Sequence, residues 1–312
     1  MLTVLIATYN GATQLRQTLP SLERMTVPAG GWKLVVAENG STDDTSAVLD
    51  AFRSRLPVTV VTEPRQGKNT ALNAALGQVE GDLAVFTDDD IIADPGWLVA
   101  LRRAADRHRD YAIFSGAIHP IWPWTPDPWI LEWVDLEVCY TVTDSARGEG
   151  PVAPNLVWGP NMAIRADLFA AGVRFDEGVG PSGRDAPSGR DSPMGSETEL
   201  TLRLAAAGHR AWFCPDARVG HIIRGEQMSR QWILARATRF GRGMYRRQLT
   251  AMSSPPPLLF GIPRYLLRML LTKVQRYVLA LPMSARARFH ARWDLQYLIG
   301  CMREARRHFD RA

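Results

Sequence analysis

The sequence predicts an α/β protein: a Rossmann-like, mostly parallel central sheet joined to a basic, helical C-terminal region. Three observations predict it. Short apolar runs alternate with helix-length segments up to Arg107, the pattern of βαβ units with right-handed crossovers. Polar clusters follow those runs, where open α/β sheets hold their ligands. Charge is also split along the chain. Residues 201–312 carry 21 Lys and Arg against 5 Asp and Glu, a net +16, and residues 1–200 carry 16 against 27, a net −11.

Leu2–Ala7 reads as a strand buried on both faces, the mark of a parallel sheet. Asn10-Gly11 turns the chain into a helix over about Ala12–Arg24. Trp32–Ala37 is the second strand, and Ser41-Thr42-Asp43-Asp44 opens the second helix, with Ser41 or Asp43 as its cap. Val58–Thr62 is the third strand, followed by a helix around Lys68–Leu76, and Leu83–Phe86 is the fourth, with a helix over Trp97–Arg107 after it. Thr8-Tyr9-Asn10, Glu38-Asn39-Gly40 and Asp88-Asp89-Asp90 then fall at strand C-terminal ends. No G-x-x-x-x-G-K-[ST] run is present and no G-x-G-x-x-G follows any of these strands (the one such run, Gly178–Gly183, lies far beyond them), which argues against the ordinary dinucleotide and P-loop sites.

The acidic triplet Asp88–Asp90 carries the most chemistry. Carboxylates so close repel unless a positive charge sits among them, and oxygen ligands suit a hard cation such as Mg²⁺ or Mn²⁺. The competing reading is a solvated turn in which Asp90 or Asp94 caps the helix near Pro95-Gly96-Trp97. With 46% hydrophobic and 22% charged residues the chain reads as globular, large enough for one domain or one and a half. The cysteines, Cys139, Cys214 and Cys301, show no metal-ligand spacing, so a reducing cytosol is expected. The first 25 residues lack a signal-peptide pattern, and no uncharged apolar run is long enough to span a membrane. The basic C-terminal third suits a polyanionic surface, membrane lipid or nucleic acid.

Read together, these stretches resemble the family 2 glycosyltransferases of the GT-A, nucleotide-diphospho-sugar transferase fold. The matching residues are Val4–Asn10, Glu38–Thr45, Gly67–Asn73 (Gly-Lys-Asn-Thr-Ala-Leu-Asn), Phe86–Asp90, Gly159–Arg165 and Gly195–Leu200, then Arg203, Gly208, Pro215 and His221. The likeness covers about residues 2–245, each motif weak alone and the ordered set strong. It implies an inverting, metal-dependent transfer from a nucleoside-diphosphate sugar to an acceptor hydroxyl, in cell-envelope glycan or glycolipid synthesis. By resemblance Asp88 and Asp90 hold a divalent Mn²⁺ or Mg²⁺, Asp89 contacts ribose or metal, and His221 completes the metal site. His221 taken alone reads sooner as a structural histidine than as a ligand. Thr8, Tyr9 and Asn10 wall the base pocket, with Asn39 beside them, and Lys68 supplies a cation near base or phosphate. Glu38 stands where the family usually has aspartate. A carboxylate there favours uracil, hence a UDP-sugar, unless Glu38 merely meets the next helix. Leu72 replaces a frequent arginine. The family's Glu-Asp pair reads Ser196-Glu197 here, which makes Glu197 the general base. The competing reading is a first-turn helix carboxylate. Glu199, two residues on, faces away.

The likeness implies a catalytic domain over 1–250, with the donor half about 1–118 and the acceptor half about 119–250. Residues 251–312 follow as a basic amphipathic helical region. Trp122, Trp124, Trp129 and Trp133 form an acceptor platform or bury beneath a long connection. A near-duplicate, Pro181–Ala186 then Pro187–Ser192, reads as a mobile loop before Glu197, either an acceptor lid or a length variation. Ser229-Arg230-Gln231-Trp232 resembles an acceptor-channel motif of processive relatives, but the lack of spans argues against a polymer exporter. On a helical wheel over Leu258–Leu281, with Pro263 in the first turn, the apolar residues share one arc of about 140° and the basic residues the other side. That helix either lies in a membrane interface or docks on the protein. The expected setting is cytoplasmic, peripheral at the inner face of the plasma membrane. The expected partners are a UDP-sugar, a glycan or lipid-linked acceptor and an anionic membrane surface, with nucleic acid set aside. Two other readings remain: a nucleotidyltransferase using the acidic triplet, and a non-catalytic nucleotide-sugar or membrane-binding protein.

Overall fold

The computed structural model describes residues 1–181 and 192–310. The repeat between Ser182 and Asp191 lies outside the described residues. The strands are β1 (Leu2–Thr8), β2 (Trp32–Glu38), β3 (Val58–Thr62), β4 (Leu83–Thr87), β5 (Ile91–Ala93), β6 (Ile113–Ile121), β7 (Gly150–Val152), β8 (Met162–Arg165), β9 (Ala211–Ile222), β10 (Leu258–Leu259) and β11 (Ile262–Pro263). The helices are α1 (Ala12–Glu23), α2 (Thr45–Phe52), α3 (Lys68–Ala75), α4 (Trp97–Arg107), α5 (Pro128–Trp133), α6 (Leu136–Tyr140), α7 (Ala166–Ala170), α8 (Ser196–Ala206), α9 (Arg230–Thr250), α10 (Arg264–Ala280) and α11 (Ala285–Phe309). Contacts gather these into two compact units. One comprises residues 1–121, 140–178 and 196–223, and the other 122–139, 179–181, 192–195 and 224–310.

The first unit holds the central sheet, ordered β3-β2-β1-β4-β8-β6-β9-β5, with β7 also paired to β9. β3, β2, β1 and β4 run parallel. β8 runs antiparallel to both β4 and β6, and β9 returns parallel to β6. Apolar side chains alternate across both faces, as the two-residue period of a strand requires. Leu2, Val4, Ile6, Leu34, Val36, Leu83 and Val85 pack beneath α1 and α4, among Leu15, Leu19, Trp97 and Leu101. Leu5, Val35, Ala37, Ala84 and Phe86 face the other way, toward Ala71 and Leu72 of α3 and Leu200 and Leu204 of α8.

Two further pairings build the site. β5 follows the acidic triplet directly and runs antiparallel to β9, which sets Ile91 opposite His221. The Thr201 hydroxyl donates to the Pro154 carbonyl at 2.8 Å and anchors α8, whose first turn carries Glu197.

In the second unit α9 and α11 cross closely. A Cβ at Gly241 would sit 2.0 Å from the Tyr297 carbonyl oxygen, and one at Gly300 2.0 Å from that of Thr238, so only glycine fits at either crossing point. Nearby, the guanidinium of Arg242 pairs with Glu304 at 2.9 Å, both side chains buried. The expected helix does not start at Leu258. Leu258–Pro263 is a short hairpin, with Leu259 opposite Ile262, and the helix begins at Arg264. Pro263 stands at the N-cap position with extended backbone (ψ 129°), because its missing N–H suits the entry to a helix rather than its interior.

Candidate active site

The C-terminal edge of the sheet brings Lys68, Asp88 and Glu197 together. Lys68 is the first residue of α3, a position where the helix dipole opposes a cation. Two carboxylates hold it there: its Nζ lies 2.6 Å from Asp88 Oδ1 and 2.8 Å from Glu197 Oε1. Burial alone would depress the ammonium pKa, but Asp88 and Glu197 outweigh burial and raise it. Burial likewise favours protonated Glu197. The Lys68 charge, its hydrogen bond and a 2.8 Å hydrogen bond from the Ser196 hydroxyl reverse this and hold Glu197 at about 2. Asp88 goes the other way: burial lifts its pKa, and the Asp90 and Glu197 charges add to the lift against Lys68.

A second group lies one and two residues along. Asp89 Oδ2 accepts from the Thr8 hydroxyl at 2.5 Å, and its carbonyl accepts from Thr18 at 2.7 Å. Burial, then the charge of Asp90, pushes Asp89 up to about 7. His221 Nε2 stands 3.5 Å from Asp90 Oδ1. Its Nδ1 lies 2.8 Å from the Tyr140 carbonyl, which can only accept, so Nδ1 carries the proton and Nε2 is turned toward Asp90. Burial would lower the His221 pKa, but the Asp90 pairing overcomes that and raises it.

The residues expected around the base behave differently from one another. Tyr9 is exposed, whereas Glu38 and Asn39 are buried. Glu38 Oε1 accepts from the Ser41 N–H at 2.5 Å, and Asn10 Oδ1 accepts from the Thr42 N–H at 2.8 Å, so both hold the turn leading to α2. The Asn39 side chain is taken up by the backbone. Its Nδ2 donates to the Glu63 and Arg65 carbonyls at 2.7 and 2.8 Å, and its Oδ1 accepts from Gly67 at 2.7 Å. It therefore shapes the loop that delivers Lys68. Asp43 accepts from both the Ala12 and Thr45 N–H groups, at 3.1 and 3.0 Å, and ties the openings of α1 and α2 together. Leu72 lies in the core, so α3 offers no second cation there. Glu199 pairs with Arg203 at 3.0 Å, away from Lys68. In the second unit, the Trp129 and Trp133 rings pack against Phe289, with Arg230 stacked over Trp129 at 5.0 Å, while Trp124 is exposed.

Sequence reasoning missed two contributors, Ser196 and Gly159. Ser196 signalled itself only as a departure from the family's acidic pair. A Cβ on Gly159 would lie 2.6 Å from Glu197 Oε1. Gly159→Ala is therefore expected to displace the Glu197 carboxylate and lower turnover at least tenfold, with the melting temperature little changed. Turnover measured beside a melting curve checks this.

Among the described residues, no three His, Cys, Asp or Glu side chains stand as a closed metal-ligand set. Asp88 and Asp90, the latter beside His221 Nε2, still fit a hard cation. Such ions take one or two protein carboxylates and fill their remaining positions with substrate phosphates and water.

A family model described as Glycosyl transferase family 2 matches residues 3–169. Validoxylamine A glucosyltransferase of Streptomyces hygroscopicus subsp. jinggangensis is 28% identical over 130 residues, 41% of this chain and 31% of that protein. Poly(ribitol-phosphate) beta-N-acetylglucosaminyltransferase TarS of Staphylococcus aureus is 30% identical over 89 residues, 28% of this chain and 16% of the relative. The match thus spans a third or less of the length of these relatives. Among solved structures, TarS 1–349 with UDP-GlcNAc superposes with a TM-score of 0.56 at 16% identity, covering 98% of this chain and 91% of that one. The mannosyltransferase PcManGT of Pyrobaculum calidifontis, in complex with GDP-Man and Mn²⁺, superposes at 0.64 with 20% identity, covering 100% and 88%. These likenesses establish the GT-A fold.

Proposed function

The chain belongs to glycosyl transferase family 2, and from that premise we propose that it moves a sugar from a nucleoside-diphosphate sugar to an acceptor hydroxyl with inversion. The observation that carries this reading is the Asp88–Lys68–Glu197 cluster at the sheet's C-terminal edge, with Nζ 2.6 and 2.8 Å from the two carboxylates. Glu197 is the general base. Paired with Lys68 it is a weak one, since a carboxylate near pKa 2 holds a proton poorly. When the donor's phosphates draw Lys68 toward themselves, Glu197 loses that partner and its basicity rises. The deprotonated acceptor oxygen then attacks the anomeric carbon in line with the departing nucleoside diphosphate.

A divalent cation, Mn²⁺ or Mg²⁺ held by Asp88 and Asp90 with His221, would neutralise the two phosphates of the leaving group. Thr8 orients Asp89 toward the ribose through its 2.5 Å hydrogen bond. Tyr9 and Asn10 flank the base, and the second carboxylate oxygen of Glu38 accepts a uracil N–H. A UDP-sugar is accordingly the proposed donor. The known ligands of similar folds, UDP-GlcNAc in TarS and GDP-Man with Mn²⁺ in PcManGT, support a nucleotide-sugar donor in general. The proposed acceptor is a glycan or lipid-linked hydroxyl of the cell envelope.

A thermal-shift panel of UDP-, GDP- and dTDP-sugars with and without Mn²⁺ tests this. A UDP-sugar with Mn²⁺ should stabilise the protein by about 2.7 kcal/mol at a hundredfold excess over Kd, with smaller shifts for the others. Equal shifts with and without Mn²⁺ would contradict the metal site, and a larger shift for a GDP-sugar would contradict the role of Glu38.

A further inference from the structure

Helix α10 has one broad apolar face, and the protein covers only one edge of it. Leu266 and Leu270 pack with Tyr245, Leu298, Cys301 and Ala305, and Lys273 is paired with Asp294 of α11. At 100° per residue, Leu267, Val274, Val278 and Leu271 form the other edge of that face, a stripe of about 60°. Of these, Leu271, Val274 and Val278 are exposed, Leu271 to 74%. Arg264 and Arg268 border the stripe, and neither pairs with a carboxylate among the described residues.

Exposed apolar side chains also flank both ends of the helix. Before it, the β10–β11 turn places Phe260 and Gly261 at φ 53° and 72°. A two-residue turn with positive φ at both positions ordinarily takes Asn-Gly, so a phenylalanine there is held against its backbone preference. Phe260 is 83% exposed. After the helix, Leu279, Leu281 and Met283 are exposed. Residues 264–293 contain seven Lys and Arg and no Asp or Glu.

We propose that this face of α10, with Phe260 at one end and Leu281 at the other, seats on an anionic lipid surface. The apolar stripe enters the headgroup–acyl boundary while Arg264 and Arg268 meet lipid phosphates beside it. A second copy of the chain fits poorly, because pairing two such faces sets arginine against arginine with no carboxylate between them. No helix among the described residues is long and apolar enough to cross a membrane, so the contact lies in the interface plane.

Flotation of the full chain with phosphatidylcholine vesicles, with and without phosphatidylglycerol, tests this. The protein should float with the anionic vesicles, bind the neutral ones at least tenfold more weakly, and detach as salt is raised. Leu271→Glu should abolish flotation through the stripe, and Arg264→Glu with Arg268→Glu should do so through the charges. Both are surface changes, so melting temperature and UDP-sugar binding should stay at wild-type values. Absence of flotation in the wild type, equal salt-insensitive binding to both vesicle types, or a solution dimer lost in Leu271→Glu would overturn the proposal.

Discussion

Glu197→Gln is expected to lower turnover by about 10²–10⁴, the usual contribution of a general base, with donor affinity near wild type. Glutamine keeps the shape of the side chain and can still meet the Ser196 hydroxyl, now 2.8 Å from Oε2. Lys68 retains Asp88 as its partner at 2.6 Å, so the cluster loses one charge without collapsing. What the amide cannot do is take a proton. Steady-state turnover beside a UDP titration separates the two effects. A fully active Glu197→Gln, or inactivity confined to Glu199→Gln, would assign the base elsewhere. The geometry argues against the latter, because Glu199 is engaged with Arg203 on the next turn of its own helix.

Asp90→Ala is expected to remove the metal dependence of donor binding. Asp90 is buried at the end of the triplet, with His221 Nε2 3.5 Å away, so its loss removes one of the proposed ligands and unpairs another. The effect on UDP affinity in Mn²⁺ should exceed the roughly 10–100-fold that follows from losing a group that merely supports a ligand. Calorimetric titration of UDP with Mn²⁺ measures it. Without the metal, wild type and variant should bind UDP alike. Wild-type affinity of Asp90→Ala in Mn²⁺ would contradict a metal site at the triplet.

The donor half was legible in the sequence because its signals are local. Val58–Thr62 and Trp97–Arg107 coincide with β3 and α4, and β1, β2, β4, α1 and α3 differ from expectation only at their ends. Strand periodicity and helix-opening residues fix such elements without reference to the rest of the chain. Contacts between distant residues were not legible. Lys68 meets Glu197 across 129 positions, and only the packing of α8 shows that one ammonium holds both the candidate base and a candidate metal-binding carboxylate. Asn39 read as a ligand-binding residue because it sits at a strand end, yet its amide satisfies the loop backbone. The hairpin before α10 was hidden because Leu258, Leu259 and Ile262 fit an apolar helical arc as well as a strand. The Phe260-Gly261 turn carries none of the usual turn residues but glycine.

Phosphorus NMR of the products formed from a UDP-sugar and Mn²⁺, with water or a glycan hydroxyl as acceptor, decides what the Asp88–Lys68–Glu197 cluster does. UDP should accumulate as donor is consumed, at a rate reduced in Glu197→Gln. Pyrophosphate in its place would identify a nucleotidyltransferase, and donor that stays intact despite tight binding would identify a protein that holds nucleotide sugars without turning them over. Either result would contradict glycosyl transfer at this site.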